Sequence, residues 1–516
     1  MKILITGGAG FIGSHLIDYL IKEGHEIICV DNFFSGKKEN IAHHFNNPGF
    51  QFIKHDITKP LKVKFGRLDR IYNLACPASP VQYQFDPVKT LNTSVRGVQN
   101  MLELARLTSA RLLQASTSEV YGDPLEHPQK ETYWGNVNPL GERACYDEGK
   151  RAAETLCKDY YQQYGVDTRI IRIFNVYGPR MMFNDGRVIS NFLLQALLDQ
   201  NITVHGDGLQ TRSFCYITDF IKALVGWMEH ETDFQPVNIG NPDERSMLDM
   251  AKMIKEKTGS KSKIEFIPYE QAPGRFGDVK QRRADITKIK HELGWQPTMD
   301  FISGLEKTIA DFKNRLKNKP RILIFAPAYL PLKGPVEEAV TEIIKRLPSW
   351  EFDLICARLD KKLPQESREG SVNVYRLGSG RSLDKYLLPF RGFGLAKKLH
   401  QKHHYQLTWA IMASYGAIAA SLFSTFTKNV PFLLSVYEGD LTAKALKKGV
   451  WLNFIYRIIF RKAKRWQLIA KMSERQKAWL ESEKNVQIVE FNQDWDLLAK
   501  RTKEMFQELE ILSTRI

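Results

Sequence analysis

The sequence is poor in cysteine, and its six cysteines (Cys29, Cys76, Cys145, Cys157, Cys215 and Cys356) form neither CxxC pairs nor a dense framework. That spacing excludes a cysteine-ligated zinc site and a secreted disulfide scaffold, and no metal site is expected; free thiols in a reducing compartment are. No signal peptide is expected either, because the opening run MKILIT stops at Gly7 and Gly8 without an h-region or cleavage site. A cytoplasmic location is the resulting expectation. One stretch, 406–427, is uncharged over a spanning length. It carries Gln406, Ser414, Tyr415, Gly416, Ser421 and Ser424, so a buried strand followed by a buried helix is expected in place of a membrane span. Nor is the composition that of a disordered chain: 43% of residues are hydrophobic and 26% charged, which is ordinary for globular proteins.

A length of 516 residues exceeds one ordinary domain. The net charge of +16 is uneven, with 41 basic against 38 acidic side chains in 1–318 and 33 against 20 in 319–516. Such asymmetry fits two modules, the second facing an anionic surface or partner, although a plain solubility bias gives the same count. Apolar runs at 2–6, 26–31, 50–56, 70–75, 111–116 and 168–175 alternate with helical patterns such as Ser14–Glu23, Arg96–Leu107 and Tyr146–Tyr164. Buried strands separated by helices predict an α/β fold with a doubly wound parallel sheet. We expect a first domain over 1–312, with a core to about 180 and a small substrate lobe over 181–312. Residues 313–320 (KNRLKNKP) are the expected linker. The alternation then restarts, predicting a second Rossmann-like α/β domain over 321–516.

Two motifs carry chemistry. Gly7, Gly10, Phe11, Ile12 and Gly13 lie in a glycine turn between the first strand and a helix, and Asp31 ends the second strand. Such a turn lets backbone N–H groups approach a pyrophosphate, while the acid recognises a ribose hydroxyl and favours NAD over NADP. Tyr146 and Lys150 are one helical turn apart, where an ammonium can lower the phenol pKa and make it a base. The strand at 111–116 delivers Thr117, Ser118 and Glu119 before them.

The segments TGGAGFIGSHL, VDNFFSGKKENI, NLACPASP, ASTSEVYGDP, CYDEGKRAAETL, IFNVYGPRM and GDGLQTRSF closely resemble the extended short-chain dehydrogenase/reductases. Among these they look most like the UDP-glucuronate decarboxylases, which make UDP-xylose. The resemblance covers roughly 1–312. It implies bound NAD, with Asn32, Asp56, Ile57, Leu74, Ala75, Tyr146 and Lys150 joining the glycine turn and Asp31 around it. It also implies a redox-neutral cycle. Tyr146, helped by Lys150, takes the carbon-4 hydroxyl proton, carbon dioxide leaves the 4-keto acid, and Glu119, Thr117 and Ser118 handle protons at carbon 5 and position the sugar. Asn175, Arg180, Arg187, Asn191, Gln210, Arg212, Arg275 and Arg282 are implied to hold the UDP-sugar, Arg282 at its carboxylate. A homodimer through helices near 96–107 and 146–164 is implied as well. Ser118, where a 4,6-dehydratase would carry aspartate, argues against that chemistry. The stretch Pro273–Val279 looks more like a 4-epimerase, which keeps a UDP-sugar 4-epimerase as the alternative. A scaffold with an inactive dehydrogenase half is a third reading.

Residues 320–516 resemble the acceptor-side half of two-domain glycosyltransferases, but the donor-binding half has no counterpart, and a glycine pair of the first loop reads Gly334-Pro335. A non-catalytic or partner-dependent module is therefore expected. Residues 444–471 hold nine Lys/Arg and no acid among Trp451, Phe454, Ile455, Ile458, Ile459 and Trp466. On a helix, that pattern suits an anionic membrane surface at the inner face of the membrane, or docking to a glycosyltransferase partner; a core helix with a solvated basic side would read alike. Nucleic acid is not expected.

Overall fold

The structure is a computed structural model that describes residues 1–62, 65–183, 185–268, 281–331, 334–347, 350–412, 414–427 and 430–437, with short stretches at 463, 465–469, 486–489, 498–499, 501–502 and 505–506. The chain divides into two compact units, Met1–Arg315 and Leu316–Ile516.

The first unit is built on β1 (Lys2–Thr6), α1 (Phe11–Lys22), β2 (Glu26–Asp31), β3 (Phe50–Lys54), β4 (Arg70–Asn73), β5 (Arg111–Thr117) and β6 (Thr168–Ile173). A seventh strand, Val237–Ile239, completes a sheet of order 237–239, β6, β5, β4, β1, β2, β3. Every pairing in it is parallel. The strands are apolar on both faces (Ile3, Leu4 and Ile5 are buried, as are Ile27, Ile28, Cys29 and Val30) because helices cover each side. The chain runs outward from β1 on one side and from β4 on the other, so the carboxyl ends of β1 and β4 form the switch point where such sheets open a crevice. The long helix Ala144–Tyr164 stops at Gly165, whose φ of 66° suits a left-handed cap. In the lobe, the strand Thr211–Ser213 pairs antiparallel with Glu244–Ser246 and parallel with Gln281–Arg282. That register sets Arg282 beside Arg212.

The expected linker begins too early. Residues 313–317 are the last turn of the helix Phe301–Lys317, whose buried Phe301, Leu305, Thr308, Ile309 and Phe312 recur at helical spacing. The polar residues that suggested a linker are the exposed side of that helix, and the helix ends ahead of Pro320, which cannot continue it.

In the second unit, the stretch 406–427 resolves into a strand, Leu407–Ile411, and a helix, Tyr415–Phe426. Among the described residues no helix is long and apolar enough to cross a membrane. The sheet runs Glu366–Glu369, Val372–Leu377, Glu351–Ala357, Arg321–Phe325, Leu407–Ile411, Phe432–Tyr437, Arg465–Ile469, Val486–Val489, parallel but for the first pair. Most of the basic segment 444–471 lies outside the described residues. Within its described part Arg465–Ile469 is a strand, with Trp466 paired to Leu434, and the helix expected ahead of it lies outside the described residues. The helices cover two faces of this sheet, one core holding Ile322, Ile324, Trp409 and Phe506, the other Leu323, Phe325, Phe423 and Leu434.

Candidate active site

At the carboxyl ends of β1 and β4 a long cavity is lined by Gly7, Gly10, Phe11, Ile12, Gly13, Asp31, Asn32, Asp56, Ile57, Leu74, Ala75, Tyr146 and Lys150, every residue expected at the dinucleotide. The turn is glycine-dependent. Gly7 has φ +69°, and a Cβ on Gly13 would stand 2.3 Å from the Gly7 carbonyl oxygen. Gly10 is the N-cap of α1 and no side chain caps that end, which leaves the helix dipole facing the cavity. Asp31 is buried and accepts from the backbone N–H of Ala9 at 3.0 Å and of Phe33 at 2.7 Å, so it braces the glycine turn besides lining the cavity. Burial raises its pKa to about 6. Asn32 donates to Asp56 at 3.1 Å, tying the loops after β2 and β3 together.

A second cavity holds Thr117, Ser118, Glu119, Tyr146, Asn175, Arg187, Arg212 and Arg282, and it shares Ile12, Ser116, Tyr146 and Arg187 with the first. Tyr146 is buried and stacks on Tyr83, centroids 5.0 Å apart and planes within 8°. Lys150 sits with Nζ 5.8 Å from the Tyr146 ring centroid and donates to the Ala115 carbonyl at 2.8 Å. The net effect on the phenol is nevertheless upward. Burial and the neighbouring Cys76 thiol push Tyr146 well above its ordinary value, and the opposing influences are a hydrogen bond with Thr117 and the Arg187 guanidinium. Thr117 also caps the 3₁₀ turn Ser118–Tyr121 by accepting from the Glu119 N–H.

Glu119 is held by two arginines. Arg282 donates to both of its oxygens, at 2.5 and 3.0 Å, and Arg143 donates at 3.3 Å. Although burial opposes ionisation, Arg282, Arg143 and Arg212 hold its pKa down to about 2. Two residues expected to serve the substrate separately therefore bind each other. Next to Tyr146, Asp147 is buried with Oδ1 unpartnered. Burial, with Glu119 nearby, raises it to about 8.

A smaller pocket is lined by Asn191, Gln210, Arg212 and Met247. Its acceptors Asn191 Oδ1 and Gln210 Oε1 are buried without hydrogen-bond partners, which suits a ligand carrying N–H or O–H donors. Arg187 lines both larger cavities and donates to the Ala78 carbonyl at 2.8 Å. Arg180 does not join the sugar-side group: it lines the dinucleotide cavity, and its Nη2 pairs with Asp18 at 2.6 Å. Asp18 itself accepts from His43 and His44, which fixes that arginine from the far side of α1. Arg275 lies outside the described residues. Sequence reasoning missed Arg143, Tyr83 and Asp147. Arg143 precedes Tyr146 by three residues, a spacing that could have placed it on the same helical face; Tyr83 comes from a four-residue helix, Pro80–Tyr83, with no such signal.

This fold and cleft define an NAD-dependent sugar-nucleotide enzyme of the extended short-chain dehydrogenase/reductase class. A family model described as GDP-mannose 4,6 dehydratase matches residues 4–308, and the chain belongs to that family. The chain is 53% identical over 319 residues to UDP-glucuronic acid decarboxylase 1 of Arabidopsis thaliana, covering 62% of this chain and 71% of that protein. It is 52% identical over 318 residues to UDP-glucuronic acid decarboxylase 1 of Danio rerio, covering 62% and 74%. Among solved structures it is similar to UDP-glucose 4-epimerase of Thermotoga maritima, with a TM-score of 0.56 and 30% identity over 61% of this chain and 100% of that one. UDP-glucuronic acid 4-epimerase of Bacillus cereus, solved with UDP-glucuronic acid and NAD, gives 0.54 and 30% over 61% and 99%.

Proposed function

We propose that the first unit is an NAD-dependent UDP-glucuronate decarboxylase yielding UDP-xylose. The observation that carries this reading is a single cavity uniting Tyr146, Glu119 and Arg282 and continuous with the dinucleotide cavity, in a chain 53% identical to a UDP-glucuronic acid decarboxylase. The glycine turn, Asp31 and Lys150 would hold NAD, which when bound accepts hydride from carbon 4 and later returns it. Tyr146 Oη takes the carbon-4 hydroxyl proton, with Thr117 and Arg187 favouring the phenolate. The bond between carbons 5 and 6 then breaks, its electron pair moves into the carbon-4 ketone, and carbon dioxide leaves. Tyr146, now protonated, donates to that developing oxyanion. Arg282 suits the sugar carboxylate because its fork is bidentate. When the carboxylate takes that fork, Glu119 loses its main partner and its pKa climbs. It then becomes able to hold the proton that carbon 5 receives. The unpartnered acceptors of Asn191 and Gln210 receive donors of the nucleotide.

A homodimer through the helices near 96–107 and 146–164 is supported by exposed Leu107, Tyr161 and Tyr164, and sedimentation of the full chain tests it. The second unit is a docking module that places UDP-xylose synthesis beside glycan assembly, at a glycosyltransferase partner or the cytoplasmic membrane face. The enzymatic reading is tested by incubating the protein with UDP-glucuronate and NAD, following carbon dioxide and the product sugar by NMR. UDP-xylose without net NADH is expected. Retained carboxylate with inversion at carbon 4 would make it an epimerase, and no turnover on any UDP-sugar would favour an inactive scaffold.

A further inference from the structure

The segment 378–404 of the second unit presents an outward face that its own core does not use. A 3₁₀ turn, Ser382–Leu387, leads into the helix Leu388–His403. The helix buries Leu388, Pro389, Gly392, Ala396 and Leu399. Away from that core Leu383, Leu387 and Phe390 are 66%, 40% and 77% exposed. Phe426, 71% exposed at the end of the helix Tyr415–Phe426, packs against Phe393 of the helix Leu388–His403, ring centroids 5.5 Å apart. Further along, the same outward direction carries Lys397 and Lys398. In all, Arg381, Lys385, Arg391, Lys397, Lys398 and Lys402 are exposed. The only acid in 378–404 is Asp384, which is buried and accepts from the backbone N–H groups of Ser379, Gly380 and Arg381. Its charge is turned inward, so the charges that 378–404 turns outward are all cationic.

We infer that this face docks on an anionic lipid bilayer, Leu383, Leu387, Phe390 and Phe426 entering the headgroup boundary and the six cations pairing with lipid phosphates. The assignment rests on charge complementarity and on the shape of the patch. Large apolar tips standing out among lysines suit an interfacial helix, whose apolar side sinks while its cations stay at headgroup level. Lysine is depleted from protein–protein interfaces, which makes a protein partner the poorer match. The inference deepens the docking-module reading and rests on residues separate in sequence from the basic segment 444–471.

The test is flotation of the full chain with vesicles of phosphatidylcholine alone or with 30% phosphatidylglycerol, in low and high salt, with UDP-glucuronate turnover measured alongside. Flotation with the anionic vesicles, lost in high salt, is expected. L387S/F390S should weaken it about tenfold or more, and K397E/K398E about thirtyfold or more, each lysine near such a surface being worth about fivefold. Turnover in solution should be unchanged in both variants, and an unchanged urea transition that NAD does not shift reports that the second unit remains folded. Lack of flotation, flotation indifferent to both variants, or tight binding to a nucleic acid or soluble protein in place of vesicles would overturn the inference. Should flotation fail while turnover persists, only the docking face falls; loss of turnover in the native chain strikes the enzymatic reading instead.

Discussion

Replacing Arg282 by methionine removes the bidentate partner of Glu119 while filling a similar volume. In the native chain Glu119 is held at about 2 against an ordinary 4.5, so its ionised form contributes roughly 3 kcal/mol near neutrality, at about 1.4 kcal/mol per pKa unit. Because the folded value is depressed, this contribution is complete above 4.5 and is lost as pH falls towards 2. In R282M the carboxylate keeps only the weaker Arg143 contact at 3.3 Å and the more distant charge of Arg212. Burial then prevails, and the Glu119 value moves above the ordinary one. A carboxyl with a raised value binds its proton more tightly when folded, so the variant recovers stability as pH falls from 7 towards 4.5. The expected loss is about 3–5 kcal/mol at pH 7, the range for breaking a buried pair, and about 1–2 kcal/mol less at pH 5 by proton linkage. Urea unfolding of the full chain at both pH values measures it, using the transition that added NAD shifts, since NAD stabilises only the unit that binds it. Adding E119Q in the same chain should restore most of the loss at pH 7. An equal loss at pH 5 and 7, or no rescue by E119Q, would refute the view that the uncompensated Glu119 charge causes the damage.

Other changes probe the rest of the site. For D147N, the folded pKa of about 8 is raised, so native stability falls as pH climbs from 4 towards 8; the variant lacks that decline, and its advantage in thermal midpoint should grow over that window. Y146F should lower kcat by about 10²–10⁴-fold, the usual contribution of a general acid–base group, with NAD affinity retained in a titration. G13A places a Cβ 2.3 Å from the Gly7 carbonyl oxygen, and NAD binding by calorimetry should weaken more than about 100-fold through distortion of the turn. N191A with Q210L removes two unpartnered acceptors and should raise KM for the UDP-sugar about tenfold or more, leaving NAD affinity unchanged.

Features that depend on near neighbours were legible from spacing. The alternation of strands and helices, the glycine turn ahead of α1, Asp31 at the end of β2, and Tyr146 and Lys150 one helical turn apart all follow from local periodicity and from what glycine alone permits. The resemblance carried the rest of the dinucleotide lining, which the fold gathers at one switch point. What spacing could not decide was pairing across the fold. Glu119 and Arg282 are 163 residues apart, and they meet because the register of Gln281–Arg282 against Thr211–Ser213 brings a second arginine to the same place. Arg180 reads as a substrate arginine by motif, yet Asp18 on α1 captures it. Lys150 has the right spacing to tune Tyr146, yet burial governs that phenol, and burial is a property of what the remainder of the chain lays over it. Leu383, Leu387 and Phe390 would read as core in any hydrophobic pattern. Only the packing of Leu388, Pro389, Gly392 and Ala396 inward leaves those residues facing outward. Local spacing determines which element forms and which residues share its face. Tertiary packing determines which face is covered and which charges meet, and hence the ionisation on which this chemistry depends.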